Sequence, residues 1–542
     1  MSFSRLAPLL VLAAISCSES RGKPDSPAFK TTPGFGLEGF APGDPGQVDV
    51  TIDVRTDADV RTISPLIYGT NGAPDFEKNG QGLVRAGGNR YTAYNWETNA
   101  SNAGSDYQFQ NDGLLSDSNE PAKVVLDLIN KAQPRGATTL VTVPIVDYVA
   151  GDKQGGGDVR NSGVNYLSTR FKRNKAEKGG AFGPKPDTSD GVVYQDEFVH
   201  YLKSRAAQAR IAFSLDNEPD LWASTHAEVH PRPVTYAELW DRNQRFAQAI
   251  KHVWPSAEVL GLVSYGWNGF VNLQNAPDAR GRDLVEWYLE QAKDAEHDAK
   301  GKRVIDYLDL HWYPEAQANG TRVSETSIAP DVVVARVQAP RSLWDPTYEE
   351  NSWVRDFVGG PIDLLHRMSS KIAAHYPGTK LSFSEWNYGA GHHISGAIAT
   401  ADVLGIFGRE GVGMASIWPL SSDESFTYAA LRAFRNYDGK GGAFGDVSVR
   451  ATTTDVGSVT AYASLKAGAA DQVVVIAINK ASAPKTVGLI VNHPATFPAA
   501  RVWELSGTAP ELVPKGDLTS RGKNTWRLAL PAYSISVVVP HV

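Results

Sequence analysis

Two stretches of the chain each end an apolar run on an acid. "FSLDNEPDLW", Phe213 to Trp222, runs as a buried strand into Asp216, Asn217 and Glu218 before Pro219 stops it. "LSFSEWNYG", Leu381 to Gly389, delivers Glu385 in the same way. One strand-end acid is explained equally well as a salt-bridge partner. Two of them invite paired-carboxylate chemistry, provided the fold brings them face to face. One carboxyl would arrive protonated and give its proton to a departing oxygen; the other would arrive ionised and attack carbon, or activate a water. Neighbouring carboxylates do not both ionise easily, so their repulsion itself helps to divide the roles. Across a sugar-sized gap, that pair is the equipment for breaking a glycosidic bond.

The elements that must position these acids follow from periodicity. From residue 63, short apolar runs alternate with longer amphipathic stretches, the rhythm of βα units. Strands are expected at 64–71, 82–88, 138–146, 211–218, 257–266, 304–313, 381–387 and 414–420. Helical periods occupy 122–132, 236–253, 284–295, 362–376 and 395–410. This pattern predicts an α/β fold, a closed (β/α)8 TIM-like barrel over 63–430. A doubly wound open sheet is the alternative, but no glycine-rich phosphate turn follows the first strand. Over 431–542 strands such as "VTAYASL", "QVVVIAINK" and "ISVVVP" follow one another through turns, an additional all-β sandwich domain. The segment 48–62, with "VDVTIDV", shares that alternation and is expected to join the sandwich. In a barrel the reactive face lies where strands end. Glu218 closes the fourth strand and Glu385 the seventh, so the two acids face each other over the mouth.

The surroundings suit a sugar. Asn217 offers an amide beside Glu218, and His311 and Tyr313 end the sixth strand next to Glu385. Trp418 ends the eighth. Trp96, Trp222, Trp267, Trp312, Trp344, Trp353 and Trp386 also fall at strand ends or in the loops beyond, where indoles can stack on pyranose faces. Several of these are expected to be core filler, as are Trp240, Trp254 and Trp287 in helical periods. Long loops at 147–195 and 314–358 should wall an extended groove. Metal hydrolysis is the rival chemistry, with His226, His230, His311 and the pair His392–His393 as candidate ligands. No HExxH or similar spacing joins them, and no GxSxG elbow supports a serine nucleophile. A non-catalytic glycan-binding protein could use the same aromatic groove, but the two glutamates speak against it.

The chain has 542 residues and a net charge of -7, and lacks a basic run, which argues against nucleic acid as partner. Near the start, Arg5 precedes the apolar stretch Leu6 to Ile15, too short to span a bilayer but suited to export. Cys17, the sole cysteine, follows directly where a bacterial lipoprotein signal is cut and acylated. The expectation is a lipoprotein-type signal at 1–17, a Pro/Gly/Ser-rich tether at 18–47, and a lipid-anchored protein at the cell surface. An ordinary signal peptide and a secreted product are the alternative. No intramolecular disulfide can form.

Several longer motifs carry a resemblance. "RAGGNRYTAYNWETNASNAGSDY", "SLDNEPDLW", "RVQAPRSLWDPTYEENSWV", "FSEWNYG" and "FRNYDGKGGAFGD" together resemble glycoside hydrolase family 44, from about residue 48 to the C-terminus. The resemblance implies a TIM-like barrel with a β-sandwich and retaining endo-β-1,4-glucanase activity that extends to xyloglucan. It casts Glu218 as acid/base and Glu385 as nucleophile. Substrate contacts are expected from Asn217, Asn89, Trp96, His311, Tyr313, Trp386 and Trp418. It further implies a β-1,4-glucan as partner, a monomer, no cofactor needed for catalysis, and a structural calcium whose ligands are not mapped. Another endo-β-1,4-glycanase, a xylanase or mannanase, is the runner-up.

Overall fold

The computed structural model describes residues 41–541, so the expected signal segment and most of the tether lie outside the described residues. Eight parallel strands close a barrel in sequence order: Gly69–Asn71, Leu83–Ala86, Thr138–Val143, Arg210–Leu215, Glu258–Tyr265, Tyr307–Trp312, Lys380–Trp386 and Met414–Ile417. Four are buried along their whole length and the others at all but their end residues, so both faces are covered, with buried polar residues such as Arg85, Asp309 and Ser384 interrupting the apolar runs. Leu83, Leu140, Ala212, Leu260, Tyr307 and Met414, all early in their strands, pack into one cluster that plugs the end away from the acids.

Strand ends differ from the expected ones for local reasons. Pro65 opens a 3-10 turn, Pro65–Ile67, capped by the Ser64 side chain, which leaves the first strand only Gly69–Asn71. The fourth stops at Leu215 because Asp216 and Glu218 take left-handed backbone conformations, φ 70° and 44°. The eighth stops at Ile417, and the last barrel helix, Ser425–Arg435, continues past the expected boundary at 430.

Val50–Arg55 lies in the C-terminal sheet system, antiparallel to Val447–Thr453 and parallel to Lys485–Asn492. In the strand Ala469–Asn479, Val473, Val475 and Ala477 face the sandwich core. Val474, Ile476 and Ile478 on its other face join the barrel core. Burial on both faces explains the polar-free run of that strand. The barrel helix Ile394–Glu410 receives this sheet. A Cβ on its Gly405 would lie 2.2 Å from the Tyr462 ring. The buried Asp402 accepts hydrogen bonds from Thr460 Oγ1 and Tyr462 Oη, each at 2.7 Å, and pairs with Lys480 Nζ at 3.4 Å. Two sandwich strands go beyond those expected: Val513–Thr519, an exposed edge carrying Pro514, Lys515 and Gly516, and Thr525–Leu530.

The segment after the third strand carries a small sheet of Tyr148–Ala150, Phe171–Lys175 and Val192–Tyr194, and that after the sixth carries helices Pro330–Gln338 and Trp353–Val358. A third ordered segment, 87–122, follows the second strand. Buried amides pin it: Asn95 Nδ2 donates to Ala150 O at 2.9 Å, and Asn99 Nδ2 to Glu120 O at 2.7 Å.

Candidate active site

The kink that ends the fourth strand aims Glu218. Asp216 is fully buried beneath it, and its carboxyl accepts from Thr92 Oγ1 at 2.6 Å, Ile145 N at 2.6 Å and Asn217 N at 2.8 Å. Glu218 N donates to Val263 O at 3.0 Å, a carbonyl freed by a bulge in the fifth strand between Leu262 and Ser264. Two non-glycine residues in left-handed conformation within one turn cost about 1–3 kcal/mol each. The hydrogen bonds around Asp216 hold that strain in place. Burial pushes the Asp216 carboxyl up to about 6.

Opposite, Glu385 is clasped from three sides. Arg85, buried in the second strand, donates from Nη1 to Glu385 Oε1 at 2.6 Å and to Asn71 Oδ1 at 2.8 Å, and from Nη2 to Asn217 Oδ1 at 2.9 Å. Tyr313 Oη donates to Glu385 Oε2 at 2.8 Å. Register places His311 directly beside Glu385 across the sixth and seventh strands. Its Nδ1 lies 2.8 Å from Glu218 Oε1 and 3.6 Å from Glu385 Oε2, so the ring sits between the acids. Ligand-type atoms of Glu218, His311 and Glu385 all fall within 4.8 Å of one another.

These contacts separate the two carboxyls electrostatically. Burial raises Glu218 above the ordinary glutamate range, and the Glu385 charge adds to the rise against the pull of His311. Burial would raise Glu385 as well, but the charges of His311 and Arg85 and the hydrogen bonds from Arg85 and Tyr313 outweigh it and hold this carboxyl low. Burial lowers His311, yet the two glutamates reverse that and leave it raised. The site thus tunes its two carboxyls in opposite directions, Glu218 upward and Glu385 downward.

Among the described residues, this trio is the His/Cys/Asp/Glu group compact enough to share an ion. It does not fit calcium, which takes six to eight oxygens. Both oxygens of Glu385 are engaged, by Arg85 and Tyr313, and the third member is an imidazole. Three of the other candidate histidines hold structural contacts. His226 bonds Glu228 and Asn89 O, His230 bonds Glu238, and His393 caps the helix at Ser395.

The structure gathers Glu218, Glu385, Asn217, His311 and Tyr313 into one constellation. Asn217 spends its oxygen on Arg85, which leaves Nδ2 to offer a sugar hydroxyl. Trp418 is partly exposed at the rim and lies over Gly88, where a Cβ would come within 2.3 Å of the ring. Trp96 and Trp386 are corrections. Both are wholly buried, Trp96 stacked on Phe198 and Trp386 edge-on to Phe407, so neither offers a face to substrate. Side chains alternate along a strand, and Trp386 therefore points away from the barrel interior that Glu385 enters. Trp222 and Trp312 are buried likewise, their indole N–H groups bonded to Asn217 O and Tyr388 Oη. Asn89 belongs to the loop framework, donating to Ala103 O at 3.2 Å and accepting from His226 through its carbonyl. Trp353, 40% exposed, remains available on the segment after the sixth strand.

Arg85 and Asn71 escaped the sequence reading. The signal was present in "LVRAGG": an arginine inside a buried strand must meet a carboxylate. The two glycines that follow are explained by the same site, since a Cβ on Gly87 would lie 2.4 Å from the Arg85 guanidinium.

A parallel barrel with opposed, oppositely tuned carboxyls at its C-terminal mouth is the architecture of a glycoside hydrolase. Comparison with known proteins sharpens this class. The model of glycoside hydrolase family 44 matches residues 100–316. Endoglucanase A of Paenibacillus lautus is 37% identical over 511 residues, 91% of this chain and 72% of that protein. A β-mannanase/endoglucanase A of Caldicellulosiruptor saccharolyticus is 38% identical over 517 residues, 90% of this chain, which spans only 38% of that longer protein. The structure of a Paenibacillus polymyxa xyloglucanase from family 44 superposes with a TM-score of 0.87 at 35% identity, covering 91% of this chain and 99% of that one. The chain belongs to glycoside hydrolase family 44.

Proposed function

We propose that the protein is a retaining, endo-acting β-1,4-glucanase whose substrates include xyloglucan. The observation that carries this reading is that a carboxylate oxygen of Glu218 and one of Glu385 lie within 4.8 Å of each other, with the first carboxyl pushed up and the second held low. Retaining enzymes place their carboxyl groups about 5–5.5 Å apart, whereas inverting ones leave roughly 6.5–9.5 Å for a water. In the first step, a Glu385 oxygen bonds the anomeric carbon as the C–O bond to the leaving sugar breaks. The bonding pair goes to the leaving oxygen, which takes the proton of Glu218. Esterification removes the Glu385 charge, so Glu218 is no longer pushed up and can draw a proton from water in the second step. That water bonds the anomeric carbon and frees Glu385. Arg85 and Tyr313 hold the nucleophile ionised, and Asn217 Nδ2 is placed to bond the hydroxyl next to the reacting carbon.

Relatives described as an endoglucanase, a β-mannanase/endoglucanase and a xyloglucanase support a β-1,4-linked backbone as substrate. The partly exposed Trp418 beside the second-strand loop favours stacking on a sugar ring of a bound chain. On carboxymethylcellulose, viscosity is expected to fall much faster than reducing ends accumulate. Release of only glucose or cellobiose in the first minutes would refute the endo reading. A panel of glucan, xyloglucan, xylan and mannan identifies the preferred backbone, and faster turnover of xylan or mannan would replace the glucan assignment. A structural calcium rests on family resemblance and enters no step of this mechanism.

We also infer that the protein is exported and anchored through an acylated Cys17. The support is the short apolar segment before the sole cysteine. Partition with membranes that is lost in Cys17→Ala is the expected result; a processed N-terminus elsewhere overturns it.

A further inference from the structure

His311 lies between the two acids, and the proton arrangement around its far nitrogen is fixed by groups that touch no reacting atom. Asp309, two residues earlier on the same strand, is fully buried. It accepts from Ser382 Oγ at 2.6 Å, Ser384 N at 2.9 Å and Ser384 Oγ at 2.6 Å. Ser384 has a single hydroxyl proton, and this short bond spends it on Asp309. Its oxygen, 3.1 Å from His311 Nε2, is therefore an acceptor, and the ring nitrogen facing it carries the proton. A neutral imidazole protonated at Nε2 presents a lone pair at Nδ1. That nitrogen is the one 2.8 Å from Glu218 Oε1.

We propose that Asp309 and Ser384 are positioning residues that hold the His311 proton on Nε2, so that Nδ1 turns a lone pair to Glu218 and keeps the proton on the acid. A lone pair accepts from the Glu218 carboxyl O–H and repels its carboxylate. The opposite tautomer would donate from Nδ1 and stabilise the carboxylate, discharging the acid before substrate arrives. A charged ring donates through both nitrogens and favours the Glu218 carboxylate, so the lock acts on the neutral imidazole. This proposal rests on the assignment of Glu218 as acid/base and adds what sets the pH range in which that acid is loaded.

The other groups facing this pair are Glu385 on the seventh strand, Arg85 across the barrel on the second, Tyr313 beyond the sixth strand, Tyr265 at the end of the fifth, and the buried Asp220. None of them touches Ser384 Oγ or Nε2, so changes at Ser384 act on the tautomer and leave these fields in place. In Ser384→Ala the Nε2–H loses its acceptor. The neutral ring is then free to move its proton to Nδ1, and the imidazolium loses one of its two bonds. The first effect favours an ionised Glu218; the second weakens the His311 charge that pulls Glu218 down and works against it, so the tautomer change is read on the alkaline limb, where the ring loses its charge.

The test is the pH dependence of kcat/KM for the full chain on a soluble β-1,4-glucan. In Ser384→Ala the alkaline limb is expected to fall by about one pH unit, the size of shift one lost hydrogen bond to a charged group produces. The acid limb should stay within about 0.3 unit, because Glu385 keeps Arg85 and Tyr313. Ser384→Thr, which restores a hydroxyl, should restore the limb. An aryl glycoside whose leaving group needs no proton should show little of the change in its first step. An alkaline limb of Ser384→Ala coincident with that of the parent overturns the proposal. If Ser384→Ala does not fold, ring ¹⁵N correlation spectra of the parent decide. A neutral His311 signal with its proton on Nε2 upholds the lock, and one with its proton on Nδ1 overturns it. Failure of the acid/base assignment looks different: Glu218→Ala would then lose the aryl substrate as completely as the polymer.

Discussion

Arg85 is the group on which the division of labour between the acids most depends. It is fully buried, and its two terminal nitrogens serve Glu385, Asn71 and Asn217 together. Replacement by methionine keeps the volume and removes the charge, leaving the Glu385 carboxylate to face burial with only His311 and Tyr313. Breaking a buried pair of this kind costs about 3–5 kcal/mol. If about 3 kcal/mol of that falls on the ionised form of Glu385, its pKa rises by about two units, at 1.36 kcal/mol per unit. The nucleophile must be ionised, so the acid limb of the kcat/KM profile should move up by the same amount. Arg85→Lys keeps a charge, but an ammonium cannot reproduce the planar fork across three acceptors. A loss of about 2–3 kcal/mol there corresponds to a 30- to 150-fold drop in kcat/KM with a smaller shift of the limb. The assay is initial reducing-end formation from a soluble glucan between pH 4 and 9, with circular dichroism to confirm folding. An Arg85→Met profile whose acid limb coincides with the parent's would refute the reasoning. So would Arg85→Lys within threefold of the parent.

The remaining expectations are separable by assay. Gly88→Ala puts a Cβ 2.3 Å from the Trp418 ring at φ +94°, so the indole must move; KM for polymer should rise about tenfold, or about 1.4 kcal/mol, while Tm changes little. A rise confined to kcat effects would count against Trp418 as a sugar platform. Asp402→Ala strands the buried Lys480 and should cost about 3–5 kcal/mol. At about 2.1 cal/mol/K per residue, that lowers Tm by about 3–5 °C in a calorimetric scan, and an unchanged Tm would show that the sandwich is not held to the barrel by this contact. Glu385→Ala should abolish turnover, with azide yielding a product of inverted configuration. Glu218→Ala should keep activity toward good leaving groups, with azide giving retained product, and the reverse pattern would exchange the roles.

Much of this arrangement was legible in the sequence, and the exceptions have physical causes. The barrel could be read because short, largely apolar runs alternate with longer amphipathic stretches, and the acids stood out as the polar ends of two of those runs. The sandwich edge Val513–Thr519 could not, because an exposed edge strand carries the same Pro, Gly and Lys as a loop. Tryptophan type and strand-end position did not separate platform from core: Trp386 and Trp418 share the description, and only alternation along the seventh strand turns one inward to helices. Arg85 stands as a lone cation in an apolar run, and only closure of the barrel brings it to Glu385, 300 residues further along the chain. Asp309 and Ser384 look like ordinary strand residues until the register of the sixth and seventh strands places them behind His311. The kink at Asp216 and Glu218 has no sequence signature beyond Pro219, since left-handed non-glycine backbone depends on the hydrogen bonds that hold it.

The anomer formed first tests the central claim most directly. On the proposed mechanism Glu385 bonds the sugar itself and the configuration at the anomeric carbon is inverted twice. Proton NMR of the freshly cleaved glucan, recorded before mutarotation, should show the β-anomer of the new reducing end. An α-anomer as first product would mean that Glu385 does not attack the sugar, and would contradict the mechanism.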